Sequence, residues 1–312
     1  MRIDVHNLVK RYGATLSLDG VSFAVPEGSV VGLLGPNGAG KSTTIRILTG
    51  LARPGSGSAT IGGFDSERDH AAIRARLGYL PELAPTYPDM TVEDFLGFMA
   101  GVRRIDGARA RGEVDRVCAL LDLGGWRGRL LRNLSKGTRQ RAGIAQALLG
   151  EPSLVILDEP TAGLDPAQIL EVRRIVAGLR GRATVLLSTH QLAEAEAVCD
   201  RVVVLNGGRV VLEGALAELT AAGAALALRY RGDRAALARE LAARCPEVRA
   251  ADAPDGAVLL GSDAAPEHWR ARAAAAAVAA GELLALEDRR PTLESLFVQA
   301  VAKEQRIATP AA

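Results

Sequence analysis

A continuous apolar run, Val30–Leu34, passes directly into Gly35-Pro36-Asn37-Gly38-Ala39-Gly40-Lys41-Ser42-Thr43, which opens the helix-favouring stretch Ser42–Leu51. A short apolar run bounded by turn residues reads as a strand buried on both faces. The segment therefore predicts a strand, a glycine loop and a helix, the βα unit of a parallel sheet. The loop satisfies G-x-x-x-x-G-K-[ST]. Its glycines let the backbone curl until successive N–H groups converge on phosphate oxygens at the helix start. Lys41 offers a point charge to the β- and γ-phosphates, and Ser42 offers a hydroxyl to Mg²⁺, so Gly35–Thr43 is the expected ATP-binding loop. The plainer alternative, an ordinary glycine turn, is disfavoured by the position between strand and helix.

A second apolar run, Leu154-Val155-Ile156-Leu157, ends in Asp158-Glu159-Pro160. In a P-loop ATPase the Asp at such a strand end orients Mg²⁺, and the next carboxylate is placed to polarise the attacking water. Alone, the pair would suit a solvated acidic turn; downstream of the glycine loop, the catalytic reading is preferred.

The remaining chain is organised around these runs. Ile3–Val9, Leu16–Val25 and Thr184–Leu187 read as strands, with a helix at Ala167–Leu179. Residues 71–150 read as mostly helical, with apolar residues near the helical period in Thr91–Met99, Glu113–Leu121 and Gln140–Leu149. Arg201–Leu205 and Arg209–Leu212, joined by Asn206-Gly207-Gly208, predict a hairpin. Near Ala221 the composition turns Ala/Arg-rich, which predicts a boundary between residues 1–220 and a small α+β domain at 221–312. In that tail, strands are expected at Leu226–Tyr230, Ala257–Gly261 and Leu283–Leu286, and helices at Arg234–Ala243, Glu267–Ala280 and Leu293–Val301. Ala273–Ala280, flanked by Arg270, Arg272 and Glu282, is expected to face solvent.

Charge and cysteine usage exclude other classes. The 38 basic residues are balanced by 36 acidic ones, and aromatics are only 4%, so nucleic acid is not an expected partner. Cys118, Cys199 and Cys245 lie far apart in no metal-ligand spacing and read as buried thiols of a reducing compartment. The N-terminal residues carry no signal-peptide pattern, and no stretch reaches the about 18 apolar residues of a membrane span. The expected location is cytoplasmic, with any membrane role exerted through a partner.

Taken in order, these motifs resemble the ATP-binding subunits of the ABC superfamily, from about Val5 to Leu219. Leu134-Ser135-Lys136-Gly137-Thr138-Arg139-Gln140-Arg141 is similar to the family signature, with Ser135 and Gly137 matching. Lys136 and Thr138 stand where the family usually has Gly and Gln. Gly163-Leu164-Asp165 resembles the D-loop, Ser188-Thr189-His190 the switch-histidine segment, and Tyr12 the aromatic that stacks on adenine. Each has a plainer reading: Tyr12 as core or surface, His190 as a hydrogen-bonded structural residue, Ser135 as a helix cap.

The resemblance implies an α/β P-loop ATPase domain with an inserted helical subdomain at about residues 85–150. It also implies catalytic roles for Lys41, Glu159 and His190, with ATP and Mg²⁺ as ligands. In a homodimer, Ser135, Lys136 and Gly137 would close over the partner's nucleotide, beside Asp165. An integral membrane transporter subunit would dock on the helical subdomain, where Phe95, Leu96, Phe98 and Met99 serve either that contact or the subdomain's own core. Ser-Lys-Gly, Gly78–Glu82 and the added C-terminal domain resemble exporter ATPases of the drug-resistance, copper-enzyme maturation and gliding-motility kind. Most of the family has glutamine where this chain has Glu82, which reads either as an oxygen ligand for Mg²⁺ beside Ser42 and Asp158 or as a solvated carboxylate. A soluble ABC protein of ribosomes or DNA maintenance is the competing reading. One glycine loop, and an interval from Lys41 to Asp158 too short for a long coiled coil, disfavour it. A P-loop nucleotide kinase would not need the Ser135 and His190 motifs.

Overall fold

Buried and exposed positions along β1 (Ile3–Tyr12) and β2 (Thr15–Val25) bring Ile3, Val5, Leu8, Val21 and Val25 onto the buried face of an antiparallel ribbon. These coordinates are a computed structural model, which describes residues 1–83, 87–221, 225–252, 256–262, 266–289 and 292–308. Residues 84–86 at the start of the expected helical stretch, 222–224 at the expected boundary and those beyond 308 lie outside the described residues. The chain divides into two compact units, Met1–Gly214 with Ala300–Ala312, and Ala215–Gln299.

In the first unit, β3 (Val30–Leu34) is buried at every position and leads through the glycine loop to α1 (Lys41–Leu48). β4 (Ser56–Ile61) and β5 (Phe64–Asp65) extend the ribbon to the order β2-β1-β4-β5. Neither was expected from the sequence. After α2 (His70–Arg74), β6 (Leu77–Leu80) enters the second sheet. Three helices follow, α3 (Val92–Val102), α4 (Gly107–Leu120) and α5 (Lys136–Leu148), around Phe95, Leu96, Val117 and Ile144. Then come β7 (Leu154–Asp158), α6 (Pro166–Leu179), β8 (Thr184–Thr189), α7 (Leu192–Val198), β9 (Arg201–Asn206) and β10 (Arg209–Ala215).

The second sheet has the order β10-β9-β3-β8-β7-β6, with β6 through β3 and β9 running parallel. Its central strands are buried on both faces, as their unbroken Val/Leu/Ile content requires. Gly207 and Gly208, both at positive φ, turn β9 into β10 as a tight hairpin needs. Leu18, Val31, Ile45, Ile61, Ile156 and Leu186 meet in one core between ribbon, sheet and α1.

In the second unit, α8 (Leu216–Ala221) precedes β11 (Ala225–Gly232), α9 (Arg234–Arg244), β12 (Arg249–Asp252), β13 (Val258–Gly261), α10 (Arg270–Ala280) and β14 (Gly281–Arg289). The last helix, α11 (Leu293–Ala308), begins in this unit, its last residues, from Ala300, being counted with the first. The strands form an antiparallel sheet, β12-β13-β11-β14. Its core gathers Leu226, Leu237, Leu260 and Trp269. Here one expectation is corrected: the alanine tract is helical, but Ala273, Ala276 and Ala277 are fully buried rather than solvent-facing. Their three- and four-residue spacing makes one face of α10, and the small side chains let it pack closely on the sheet and α9.

Candidate functional site

The glycine loop joins the end of β3 to α1 at the edge where the parallel strands end. Gly35, Gly38 and Gly40 all have positive φ. A Cβ at Gly40, where φ is 108°, would lie 2.6 Å from Leu18 Cδ2 and 2.9 Å from the Ser17 carbonyl oxygen. One at Gly35 would run into the Leu205 carbonyl. Because Gly40 caps α1 without a side chain, the first helical N–H groups are left for an anion.

Lys41 is 6% exposed, and its ammonium donates to the carbonyls of Gly35 at 2.7 Å and Pro36 at 3.2 Å. It also lies 3.6 Å from Glu159 Oε1. The other Glu159 oxygen, Oε2, is 2.9 Å from His190 Nδ1. Glu159 itself has φ 48°, in the left-handed region. Its N–H donates to Ser188 Oγ at 2.9 Å, while that hydroxyl donates to Asp158 Oδ1 at 2.5 Å. The ends of β7 and β8 are thus laced together through Ser188.

A cleft of ≈ 380 Å³ collects Asn37, Gly38, Ala39, Gly40, Lys41, Ser42, Thr43, Glu82, Glu159 and His190, with Ser17 and Ala162. Burial raises the Asp158 carboxyl above its ordinary range, and the charges of Glu82 and Glu159 push it further, against the Ser188 hydrogen bond and Lys41. Burial also drives Tyr79 to about 12, with Asp158 contributing. This corner therefore concentrates negative charge. Among the described residues no group of three His, Cys, Asp or Glu side chains forms a protein-only metal cage. The hydroxyl and carboxylates of Ser42, Asp158 and Glu82 instead suit Mg²⁺, which takes a few protein oxygens and completes its shell with phosphate and water.

Other expected residues do not line this cleft. Tyr12 is 45% exposed at the end of β1, with Lys10 Nζ 5.1 Å from its ring centre. Ser135 caps α5, accepting from the Thr138 N–H at 3.2 Å. Gly137 faces α6 so closely that a Cβ there would strike the Gln168 amide, and the Lys136 ammonium lies against Gly163. Asp165 caps α6, accepting from the Gln168 N–H at 2.9 Å while its own N–H donates to Gln168 Oε1 at 3.4 Å. Ser17, which bonds Thr43 Oγ1 at 2.8 Å, had no sequence signal, since it sits in an ordinary strand pattern.

Comparison with known proteins agrees with this geometry. The ABC transporter family profile matches residues 18–162. A daunorubicin resistance ATP-binding protein of Streptomyces coeruleorubidus is 34% identical over 315 residues, spanning 98% of this chain and 97% of that protein. A daunorubicin/doxorubicin resistance ATP-binding protein of Streptomyces peucetius is 41% identical over 233 residues, 73% of this chain and 70% of that protein. A solved ATP-binding subunit of an ABC transporter superposes with a TM-score of 0.64 at 34% identity, over 70% of this chain and 92% of that one.

Proposed function

Because the chain belongs to the ABC transporter family, as the ATP-binding subunit of an exporter, we propose that it hydrolyses Mg-ATP in the Gly35–Thr43 cleft as half of a dimer docked on an integral membrane subunit. The observation that carries this reading is convergence. Lys41 and Ser42, Glu82, Glu159 and His190 come from four separate segments and line one cleft.

Lys41 and the loop N–H groups would hold the β- and γ-phosphates. Mg²⁺, when bound, supplies charge compensation at the transferred phosphate, with Ser42, Asp158 and Glu82 as its protein oxygens. Glu159 accepts a proton from the attacking water. His190 fixes the Glu159 carboxylate through Nδ1 and leaves its second ring nitrogen for a phosphate oxygen. The exposed ring of Tyr12 suits an adenine platform.

Ser135, Lys136 and Gly137 stand at the start of a helix of 13 residues and do not line the nucleotide cleft of their own chain, which supports a grip on the partner protomer's nucleotide. Phe95 and Leu96 are core, whereas Phe98 stays exposed, edge-on to Tyr87 at 5.3 Å. That exposed aromatic pair fits the docking contact with the membrane subunit. Among the described residues no helix is long and apolar enough to cross a membrane. As the ATP-binding subunit the chain would sit peripherally on the inner face, held there by its membrane partner.

Phosphate release from Mg-ATP by the full chain tests the reading. Lys41→Ala, which removes the charge nearest the transferred phosphate, is expected to abolish ATP binding and turnover together. Turnover at the wild-type rate in that variant would refute the site.

A further inference from the structure

Glu194 belongs to no motif discussed so far. It lies in the first turn of α7 and is 6% exposed. Its Oε2 accepts from the Thr161 hydroxyl at 2.5 Å and the Thr189 hydroxyl at 3.4 Å. Its Oε1 is buried with no hydrogen-bond partner. Thr161 and Thr189 are buried as well. Thr189 Oγ1 in turn accepts the Gln191 N–H at 3.0 Å, which folds the chain back just after His190.

Thr161 follows Glu159 by two residues, and Thr189 immediately precedes His190. A single carboxylate oxygen therefore ties the loop after β7 to the last residue of β8, the two segments that present the Glu159–His190 pair. Burying a carboxylate is costly, more so with one oxygen unpaired, and an apolar side chain of similar size would avoid that cost. We infer that Glu194 is a positioning residue for hydrolysis: through Thr161 and Thr189 it sets the spacing of the two loops, and with it the 2.9 Å contact between Glu159 and His190. The inference rests on the roles proposed above for that pair. Glu194 itself does not line the cleft, so it acts on no substrate atom.

Mg-ATP hydrolysis by the full chain decides the matter, comparing wild type with Glu194→Leu, Glu194→Gln, Thr161→Val, His190→Ala and the Glu194→Leu/His190→Ala double variant. Misplacing a catalytic group by about 1 Å can cost about 10²-fold. Glu194→Leu is accordingly expected to lower kcat by about tenfold or more, with KM for ATP within about twofold. Glu194→Gln keeps an oxygen for both hydroxyls and is expected to recover most of that loss. The double variant is expected to be no slower than His190→Ala alone, because residues acting as a unit do not add. A purely structural role would instead lower kcat and ATP affinity together, or multiply the losses in the double variant, and either result overturns the inference. Wild-type hydrolysis in His190→Ala would bring down the underlying reading and this inference with it. A damaged His190→Ala beside an unaffected Glu194→Leu would bring down the inference alone. Should Glu194→Leu fail to fold, Thr161→Val carries the test: the same kcat loss supports the role, and a wild-type rate overturns it.

Discussion

Gln140 donates from Nε2 to the carbonyl of Pro160 across 3.0 Å, joining α5 to the residue that follows Glu159. The helix proposed to touch the partner's nucleotide is thereby anchored to the loop proposed to hydrolyse its own. Gln140→Leu keeps the bulk but strands a buried carbonyl, a cost of about 1–3 kcal/mol. ATP binding to each protomer is expected to persist, while the Hill coefficient of hydrolysis falls toward one. An unchanged Hill coefficient would show that the two sites communicate by another route.

Glu159→Gln retains the shape and a hydrogen bond to His190 but cannot accept a proton. ATP is expected to bind and persist, giving an ATP-stabilised dimer on size-exclusion chromatography, with hydrolysis lowered by about 10²-fold or more. Normal turnover would mean that another group activates the water.

Glu82 brings a third carboxylate to a corner where burial and neighbouring charge already push up Asp158. Mg²⁺ is then needed to offset repulsion from the phosphates. Wild type is expected to show a steeper Mg²⁺ requirement than Glu82→Gln, with ATP binding nearly intact in both. Glu82→Ala should hydrolyse more slowly than Glu82→Gln. ATPase rates titrated against free Mg²⁺ read this out, and superimposable curves would make Glu82 a bystander.

All three thiols are buried, and burial raises each pKa, Cys199 from 9.0 to about 12. Native protein is therefore expected to resist thiol reagents at pH 8 and to react only on unfolding. Above pH 9 the unfolded Cys199 thiol ionises while the folded one keeps its proton, so the unfolded state binds fewer protons and stability falls as pH rises toward 12. The slope from this group approaches about 1.4 kcal/mol per pH unit. Denaturant melts across that range should show a steeper loss of stability with pH in wild type than in Cys199→Ala, and equal slopes would remove Cys199 as the cause.

Much of the site was legible because its elements announce themselves locally. The unbroken runs at Val30–Leu34 and Leu154–Leu157 have one stable use, buried parallel strand, and the glycine loop permits few backbones. β4 was not legible, since Ser56-Gly57-Ser58-Ala59-Thr60-Ile61 buries only Ala59 and Ile61 and relies on β1 for its pairing. Glu194 was hidden for a similar reason. In Ala193-Glu194-Ala195-Glu196 it reads as one more charge on a solvated helix, and only the meeting of two loop ends shows that it is buried. The Ala273–Ala280 tract misled in the opposite sense, because alanine gives no hint whether a helix face is covered. Tyr12 and the signature residues could be placed on their elements, but their ligand contacts depend on a second protomer or a nucleotide.

The left-handed backbone at Glu159 sets thermal robustness against turnover. An L side chain there carries a conformational cost of order 1 kcal/mol or more, which glycine would not and asparagine would largely escape. Selection for heat resistance alone would favour those residues at position 159, and the proteins it returned would have lost the carboxylate that stands between Lys41 and His190. The role proposed for Glu159 in ATP turnover is a reason to keep a carboxylate at that turn.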